Sequence, residues 1–292
     1  MQRLIARVMP ITVLSPTLII TTIFVYGFIV FSVVLSFTGS RMFPRFTFVG
    51  WDQYTRLFAN PRWDVAFDNM LIFGFLYIAL STLIGLTLAI LLDQKIRNEG
   101  VLRTIYLYPM AISFIVTGVI WQWIMNPGLG IQKLARDLGW ETFTFDWIVQ
   151  NDMAIYCVVI AGVWQVSGYI MALFLAGLRG ISADIVNAAK MDGAGTIQTY
   201  RHVILPELRP MFLTAFVVQA HLAIKSYDLV VALTKGGPGF STELPSTFMY
   251  AHTFTRNEMG LGAASAVIML CMIAAVDDPY LYSEIRNERR SA

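Results

Sequence analysis

Lys225 and Asp228 stand three residues apart inside a long apolar run, with His221 four residues before the lysine. Ionisable groups at membrane depth are costly, so the first reading is functional: an ion or proton relay, or a polar interior. At this spacing the two charges share one helical face and neutralise each other, and the alternative is that they pair near a helix end and only position it. His221 reads as a hydrogen-bonded packing residue or as a ligand contact. A second set is neutral. Trp164, Gln165, Ser167 and Tyr169 fall in one apolar run, and Gln219, Ala223, Ser226 and Tyr227 in another, where Gln219, Ala223 and Ser226 share a face by three-and-four spacing. Such groups suit a sugar, because aromatic faces stack on ring C–H bonds and neutral donors and acceptors satisfy hydroxyls without charge. The same residues also serve as helix-packing groups. No carboxylate pair, histidine cluster or serine–lysine or serine–histidine pairing sits at similar depth, which argues against an enzyme. Gly236-Gly237-Pro238-Gly239 lacks the Gly-Lys-Ser/Thr ending of a phosphate-binding loop, so the chain does not hydrolyse ATP by that route. Gly260 to Ala266 matches a dinucleotide fingerprint only in spacing, and inside an apolar run its small residues mean close helix packing.

Long helices are needed to hold these groups. The 292 residues are 57% hydrophobic and 14% charged, with mean hydropathy +0.63. That is more apolar surface than a soluble domain of this length buries in one core, so the chain reads as an all-α integral membrane protein. A spanning helix takes about 20 mostly apolar residues, and six runs qualify, roughly 10–37, 68–92, 104–125, 152–177, 211–233 and 258–277. They predict six transmembrane helices in a single domain over residues 1–292. The first run far exceeds the apolar region of about 7–15 residues in a signal peptide, and reads as an uncleaved span. Basic residues set the orientation. With the N-terminus inside, twelve (Arg3, Arg7, Lys95, Arg97, Arg103, Arg179, Lys190, Arg201, Arg209, Arg286, Arg289, Arg290) fall on inside segments. Eight (Arg41, Arg45, Arg56, Arg62, Lys133, Arg136, Lys235, Arg256) fall on outside loops, so both termini are expected on the cytoplasmic side. The net charge of +2 is spread along the flanks and gives no surface for nucleic acid. Cys157 and Cys271 read as small apolar residues within spans.

Three outside connections are expected, near 38–67, 126–151 and 234–257. Trp51, Tyr54, Leu57 and Phe58 in the first have helical spacing, which predicts an amphipathic helix at the outer interface. In the second, Asn126-Pro127-Gly128 predicts a turn and Ile131 to Leu138 a short helix ended by Gly139. The last run stops at Asp277-Asp278-Pro279, where Asp278 as N-cap and Pro279 at the first helical position predict a separate short helix over Tyr280 to Arg290.

One polar segment, 182–206, lies between two long apolar runs. Ser182 can cap a helix with Asp184 in its first turn. Asn187-Ala188-Ala189 leave little bulk, Asp192-Gly193-Ala194 and Gly195 turn the chain, and Leu205-Pro206 with Pro210 start the next span. This pattern resembles the cytoplasmic coupling segment of ABC importer permeases, whose family form is Glu-Ala-Ala, three residues, Gly, nine residues, then Ile-x-Leu-Pro. Spacing from Gly193 to Val203 and Leu205-Pro206 matches without a gap; Asn187 departs from the acidic position. Leu233-Thr234-Lys235-Gly236-Gly237-Pro238, then Thr242, Tyr250 and Phe254, with Tyr108-Pro109 and Trp121 to Gly130 earlier, resembles the carbohydrate branch of the family, of maltose and α-glucoside type. The resemblance covers essentially the whole chain.

The resemblance implies the six-helix type I importer permease fold, and a bacterial inner-membrane protein that is one of two permease subunits. Partners implied are a second permease subunit, two ABC ATPase subunits, which bind the ATP, a periplasmic sugar-binding protein, a carbohydrate substrate and membrane lipid. It places Asn187, Ala188, Ala189, Asp192, Gly193, Ala194, Leu205 and Pro206 at the ATPase contact. Aligned from that segment, Tyr169 falls where the maltose-type permease has a sugar-contacting tyrosine, and Gln219, Leu222, Ala223 and Ser226 fall on its second contacting helix. The competing readings are an importer permease for another solute, such as glycerol phosphate, and a secondary transporter or channel using Lys225 and Asp228. Matching inverted halves, expected of many secondary transporters, are not found in the sequence.

Overall fold

The computed structural model describes residues 14–94 and 96–291, and the side chains of the last helix as far as Asp278. Arg3, Arg7 and Lys95 of the charge count lie outside the described residues, as do the side chains of Arg286, Arg289 and Arg290. The main helices in chain order are α1 (Leu14–Ser36), α2 (Asp52–Phe58), α3 (Pro61–Leu92), α4 (Glu99–Ala111), α5 (Phe114–Ile124), α6 (Ile131–Asp137) and α7 (Ala154–Gly180). They continue as α8 (Ala183–Met191), α9 (Thr196–Glu207), α10 (Arg209–Ile224), α11 (Asp228–Leu233), α12 (Pro245–Tyr250) and α13 (Met259–Ser291). Among the described residues there is no strand, and one isolated antiparallel bridge joins Thr38 and Phe48. Four single helices are long and apolar enough to cross a bilayer, and two bent pairs raise the number to as many as six when each pair counts as one span. Backbone contacts divide the chain into two units, Met1–Trp63 with Phe248–Leu270, and Asp64–Thr247 with Cys271–Ala292.

In the first unit, α2 is the amphipathic helix that its spacing predicts: Tyr54 and Leu57 are buried, whereas Trp51 and Phe58 are exposed. Gly260 and Gly262 begin α13 where added methyls would meet the Thr38 carbonyl oxygen and the Thr253 hydroxyl, which bears out close packing there. Beside them His252, fully buried, stacks on Phe248 with ring centroids 4.1 Å apart. Its Nδ1 lies 2.7 Å from one oxygen of Glu258, whose other oxygen accepts from Arg56 Nη2 at 3.0 Å. The remaining ring nitrogen, Nε2, is buried with no hydrogen-bond partner among the described residues. A second proton there would have no acceptor, so Nδ1–H donates to Glu258 and the ring is neutral. Burial holds the His252 pKa below its ordinary value of 6.5, outweighing the opposing bond to Glu258.

The sign of the pH effect follows. The unfolded chain takes up a proton near 6.5 while the folded histidine resists it, so stability present above that pH is lost as pH falls below it. Burial pushes the Glu258 carboxyl up, but the bonds and charges of His252 and Arg56 prevail and hold it below 4.5, which adds a further acid loss at lower pH. We expect the thermal midpoint of the purified protein to fall between about pH 7 and about pH 5.5. His252→Gln should flatten that dependence, and an unchanged slope in the variant would assign it to other groups.

In the second unit, α7 is the central helix, far more deeply buried along its apolar stretch than α3. The α4 backbone rests directly on α7 at Gly168, where an added methyl would lie 1.7 Å from the Tyr106 carbonyl oxygen. Asn126 Oδ1 accepts from the Gly128 and Leu129 amides, which makes the expected turn, and α6 with Gly139 at φ +99° follows as read from the sequence.

Three expectations about spans are corrected. The third run, 104–125, is two helices, α4 and α5, bent by 99°. Pro109 cannot donate its helical bond, Ile112 is extended, and Ser113 accepts from the Val116 amide to cap the new helix. The fifth run, 211–233, ends at Ile224 and restarts as α11 at Asp228, and α9 meets α10 at 61°. The sixth does not stop at Asp277-Asp278, because α13 continues unbroken to Ser291 with no separate helix beginning at Pro279. Cys157 is buried, but Cys271 is exposed on α13 rather than packed inside.

Candidate functional site

The segment from Ser182 to Pro206 forms as its residues dictate. Ser182 Oγ accepts from the Asp184 amide at 3.3 Å and starts α8, which has Lys190 in its last turn and not one buried residue. Gly193 closes the helix at φ +82°, the left-handed region, while its amide and that of Ala194 return to the carbonyls of Lys190 and Ala189. Gly195 is ordinary in φ and serves instead as cap for α9, its amide bonded to Gln198 Oε1 at 3.0 Å. Asn187, Ala188, Asp192 and Gly193 are exposed, Ala189 and Ala194 half-buried, and Leu205-Pro206 continue α9 into α10.

Three residues of this segment had no role in the sequence reading. Met191 and Ile197 are 89% and 82% exposed, and Ile185 is exposed on the same short helix as Asn187. Large apolar side chains standing out from a polar segment make it a candidate contact surface. The available signal was their apolar type amid polar neighbours. Behind α8 a cleft of about 800 Å³ is lined by Asp93, Asn187, Lys190, Thr196 and Tyr200 among others. Arg179, in the last turn of α7 just before this segment, reaches the α3–α4 connection, with Nη2 2.8 Å from Glu99 and Nε 3.7 Å from Asp93.

The residues proposed to meet a solute divide into distinct settings. Trp164 and Ser167 line an apolar cleft of about 790 Å³ with Tyr106, Tyr108, Pro109 and Trp121, where the two tryptophans meet edge to face at 5.8 Å. Gln165 is fully buried, and its Nε2 donates to the Ile112 carbonyl at 2.8 Å, satisfying a backbone group freed by the break between α4 and α5. Tyr169, one helical turn on, is half-buried. Gln219 is likewise fully buried: it donates to Thr82 Oγ1 and the Ala215 carbonyl, each at 3.0 Å, and accepts from the Ser81 hydroxyl. Ala223 sits against α3 near Gly74, and Leu222 is half-buried. Ser226 does not share the helical face of Gln219 and Ala223, since it lies in the break after α10, where its carbonyl accepts from Ser246 Oγ at 2.7 Å.

The ionisable set is also rearranged. Lys225 is the residue after α10 and Asp228 the first of α11; both are exposed, and among the described residues neither forms an ion pair. The three-residue pairing fails because no helix joins them. His221 finds its partner 56 positions on, with Nε2 3.3 Å from Asp277 and Nδ1 2.8 Å from the Val217 carbonyl. No cluster of three metal-ligating side chains occurs among the described residues.

The family of binding-protein-dependent transport system inner membrane components matches residues 81–278. The chain belongs to this family. Among its relatives, a probable ABC transporter permease protein of Pyrococcus horikoshii is 41% identical, the match covering 95% of this chain and 96% of the relative. A xylose/arabinose import permease of Haloferax volcanii is 33% identical, over 92% of this chain and 86% of its own. In fold the chain is similar to one in the crystal structure of a bacterial alginate ABC transporter in complex with an alginate pentasaccharide-bound periplasmic protein, with TM-score 0.79 and 18% identity over 95% of this chain and 96% of that one. This is the helical fold of an ABC importer permease, and the chain is a permease subunit that crosses the membrane.

Proposed function

We propose that this permease imports a carbohydrate, and that the segment Ser182–Pro206 is the surface through which ATPase subunits drive it. The observation that carries the coupling is the exposed helix–turn tipped by Ile185, Met191 and Ile197, with Asn187, Ala188, Ala189, Asp192, Gly193 and Ala194 around it. In this reading two ATPase subunits cover that surface on the cytoplasmic side, both termini lie on that side, and a second permease subunit completes the pathway. An extracytoplasmic sugar-binding protein delivers the solute. ATP-driven closure of the ATPases biases the permease between inward- and outward-open states by differential binding. The Haloferax volcanii xylose/arabinose permease at 33% identity supports the sugar class. So do the aromatic and neutral side chains of Trp164 and Tyr169, which suit hydroxylated rings. Gln165, Gln219, Leu222, Ala223 and Ser226 shape the helices that frame the pathway, with His221 and Lys225 and Asp228 at their ends.

Reconstitution tests this. The permease, its partner permease and the ATPases in proteoliposomes should accumulate labelled sugar only when ATP and loaded binding protein are both present, and Tyr169→Phe should lower uptake severalfold by removing one hydroxyl. Sugar uptake that proceeds without the ATPases would overturn the coupling, and ATP-dependent uptake of non-sugar solutes only would overturn the substrate class.

A further inference from the structure

Between α1 and α2 the chain displays an unusual set of side chains. Phe43, Phe46, Phe48 and Trp51 are each at least two-thirds exposed, and Arg41 and Arg45 on the same loop are exposed with no acidic partner among the described residues. This is a built loop. The Ser40 hydroxyl donates to the Arg45 carbonyl and accepts the Arg45 amide, closing a turn that holds residues 41–44 outward. The Thr38–Phe48 bridge, with Gly39 and Val49 amides bonded to Thr47 and Phe37 carbonyls, pins its two arms. Phe37 makes its base, in ring contact with Phe48, Trp51 and Tyr54 at 6.2, 5.1 and 5.4 Å.

The surface below the loop decides what it meets. It follows α1 directly, and α1 is a strongly apolar span whose side chains are exposed almost throughout its length. The loop therefore continues a face of the first unit turned toward apolar surroundings, at the level where a spanning helix leaves the hydrocarbon. Aromatic rings concentrate at that level, and guanidinium groups bind phosphate in two-pronged fashion.

We propose that the loop Ser40–Trp51 is a lipid anchor whose aromatic rings lie in the interfacial layer and whose Arg41 and Arg45 hold the phosphates of anionic headgroups. The anchor fixes the depth and tilt of α1, a helix that its own chain leaves almost uncovered. It rests on the membrane-spanning character of α1 and not on the substrate or the ATPase contact.

The test uses the full chain in lipid nanodiscs, with exposed Cys271 replaced by Ala and Phe46→Cys carrying an environment-sensitive fluorophore. Quenching by lipids labelled near the headgroup is compared with quenching by aqueous iodide, with and without phosphatidylglycerol. The anchor predicts strong lipid quenching that increases with phosphatidylglycerol, and a ratio of lipid to aqueous quenching that falls on the order of tenfold in Arg41→Gln/Arg45→Gln. A label open to iodide and indifferent to lipid composition overturns it. A label protected only on adding a partner permease or binding protein also overturns it, and makes the loop a protein contact instead.

Discussion

Replacing Gly193 by Val should abolish ATP-coupled uptake while leaving the chain in the membrane at its usual amount. Among the described residues no neighbour beyond the adjoining ones lies within 4 Å of an added Cβ, so the expected effect does not rest on a clash there. It comes from the backbone: φ is +82°, and a β-branched residue strongly disfavours that region. Relaxing it would swing Met191 and Ile197, the most exposed apolar tips of the segment, away from the positions they hold in the proposed ATPase contact. Uptake and ATPase stimulation measured in membranes should both fall to background. Asn187→Ala is the contrasting variant and should reduce coupling only mildly, because its amide gives an ordinary hydrogen bond where a glutamate gives one about twice as strong. Normal uptake in Gly193→Val would remove the segment from the coupling pathway.

Gly168→Ala should damage assembly rather than coupling. The added methyl would lie 1.7 Å from the Tyr106 carbonyl oxygen and 3.2 Å from the Leu107 amide nitrogen, so α4 must lift off α7. Overpacking of a core commonly costs about 1–3 kcal/mol. Here the obstacle is backbone and cannot rotate away, so the top of that range is expected. The same displacement pulls Ile112 from Gln165 and leaves both groups unpaired in an apolar setting. Purified in detergent, the variant should show a markedly lower thermal midpoint and a larger aggregated fraction. Gly27→Ala, where no neighbour among the described residues lies within 4 Å of the added methyl, should behave as the unaltered chain. Equal stability of the two variants would refute the close crossing.

What could be read along the sequence was whatever local chemistry determines. Ser182, Gly193 and the proline pair near 206–210 each act on their own backbone, and the segment they delimit formed as expected. Asn126 and Gly139 likewise shaped their turns. The breaks were illegible for the opposite reason. The apolar run continues through Ile112-Ser113, so only Pro109 hinted at an interruption, and the group that makes the break tolerable, Gln165, is 53 positions away. Lys225 and Asp228 had helical spacing, yet spacing carries no meaning once the helix between them ends. Asp278-Pro279 had every local mark of a helix start, but the preceding helix runs through it, with Asp277 beside His221. Gln219 had the type and position of a solute ligand; its partners Ser81 and Thr82 lie on another helix, where no periodicity in its own run could show them.

The guanidinium of Arg179 bridges a short gap in space and a long one in sequence, since Asp93 and Glu99 flank the connection between α3 and α4. Solvent reaches all three side chains, so the bridge adds little to stability. Its significance is kinematic. Three residues separate Arg179 from the first residue of α8, so in the proposed coupling a thrust delivered at α8 has two outlets, along α7 and sideways into the turn that begins α4. In the proposed coupling, the permease end of the segment is a branched linkage, and the broken span α4–α5 hangs from its second arm.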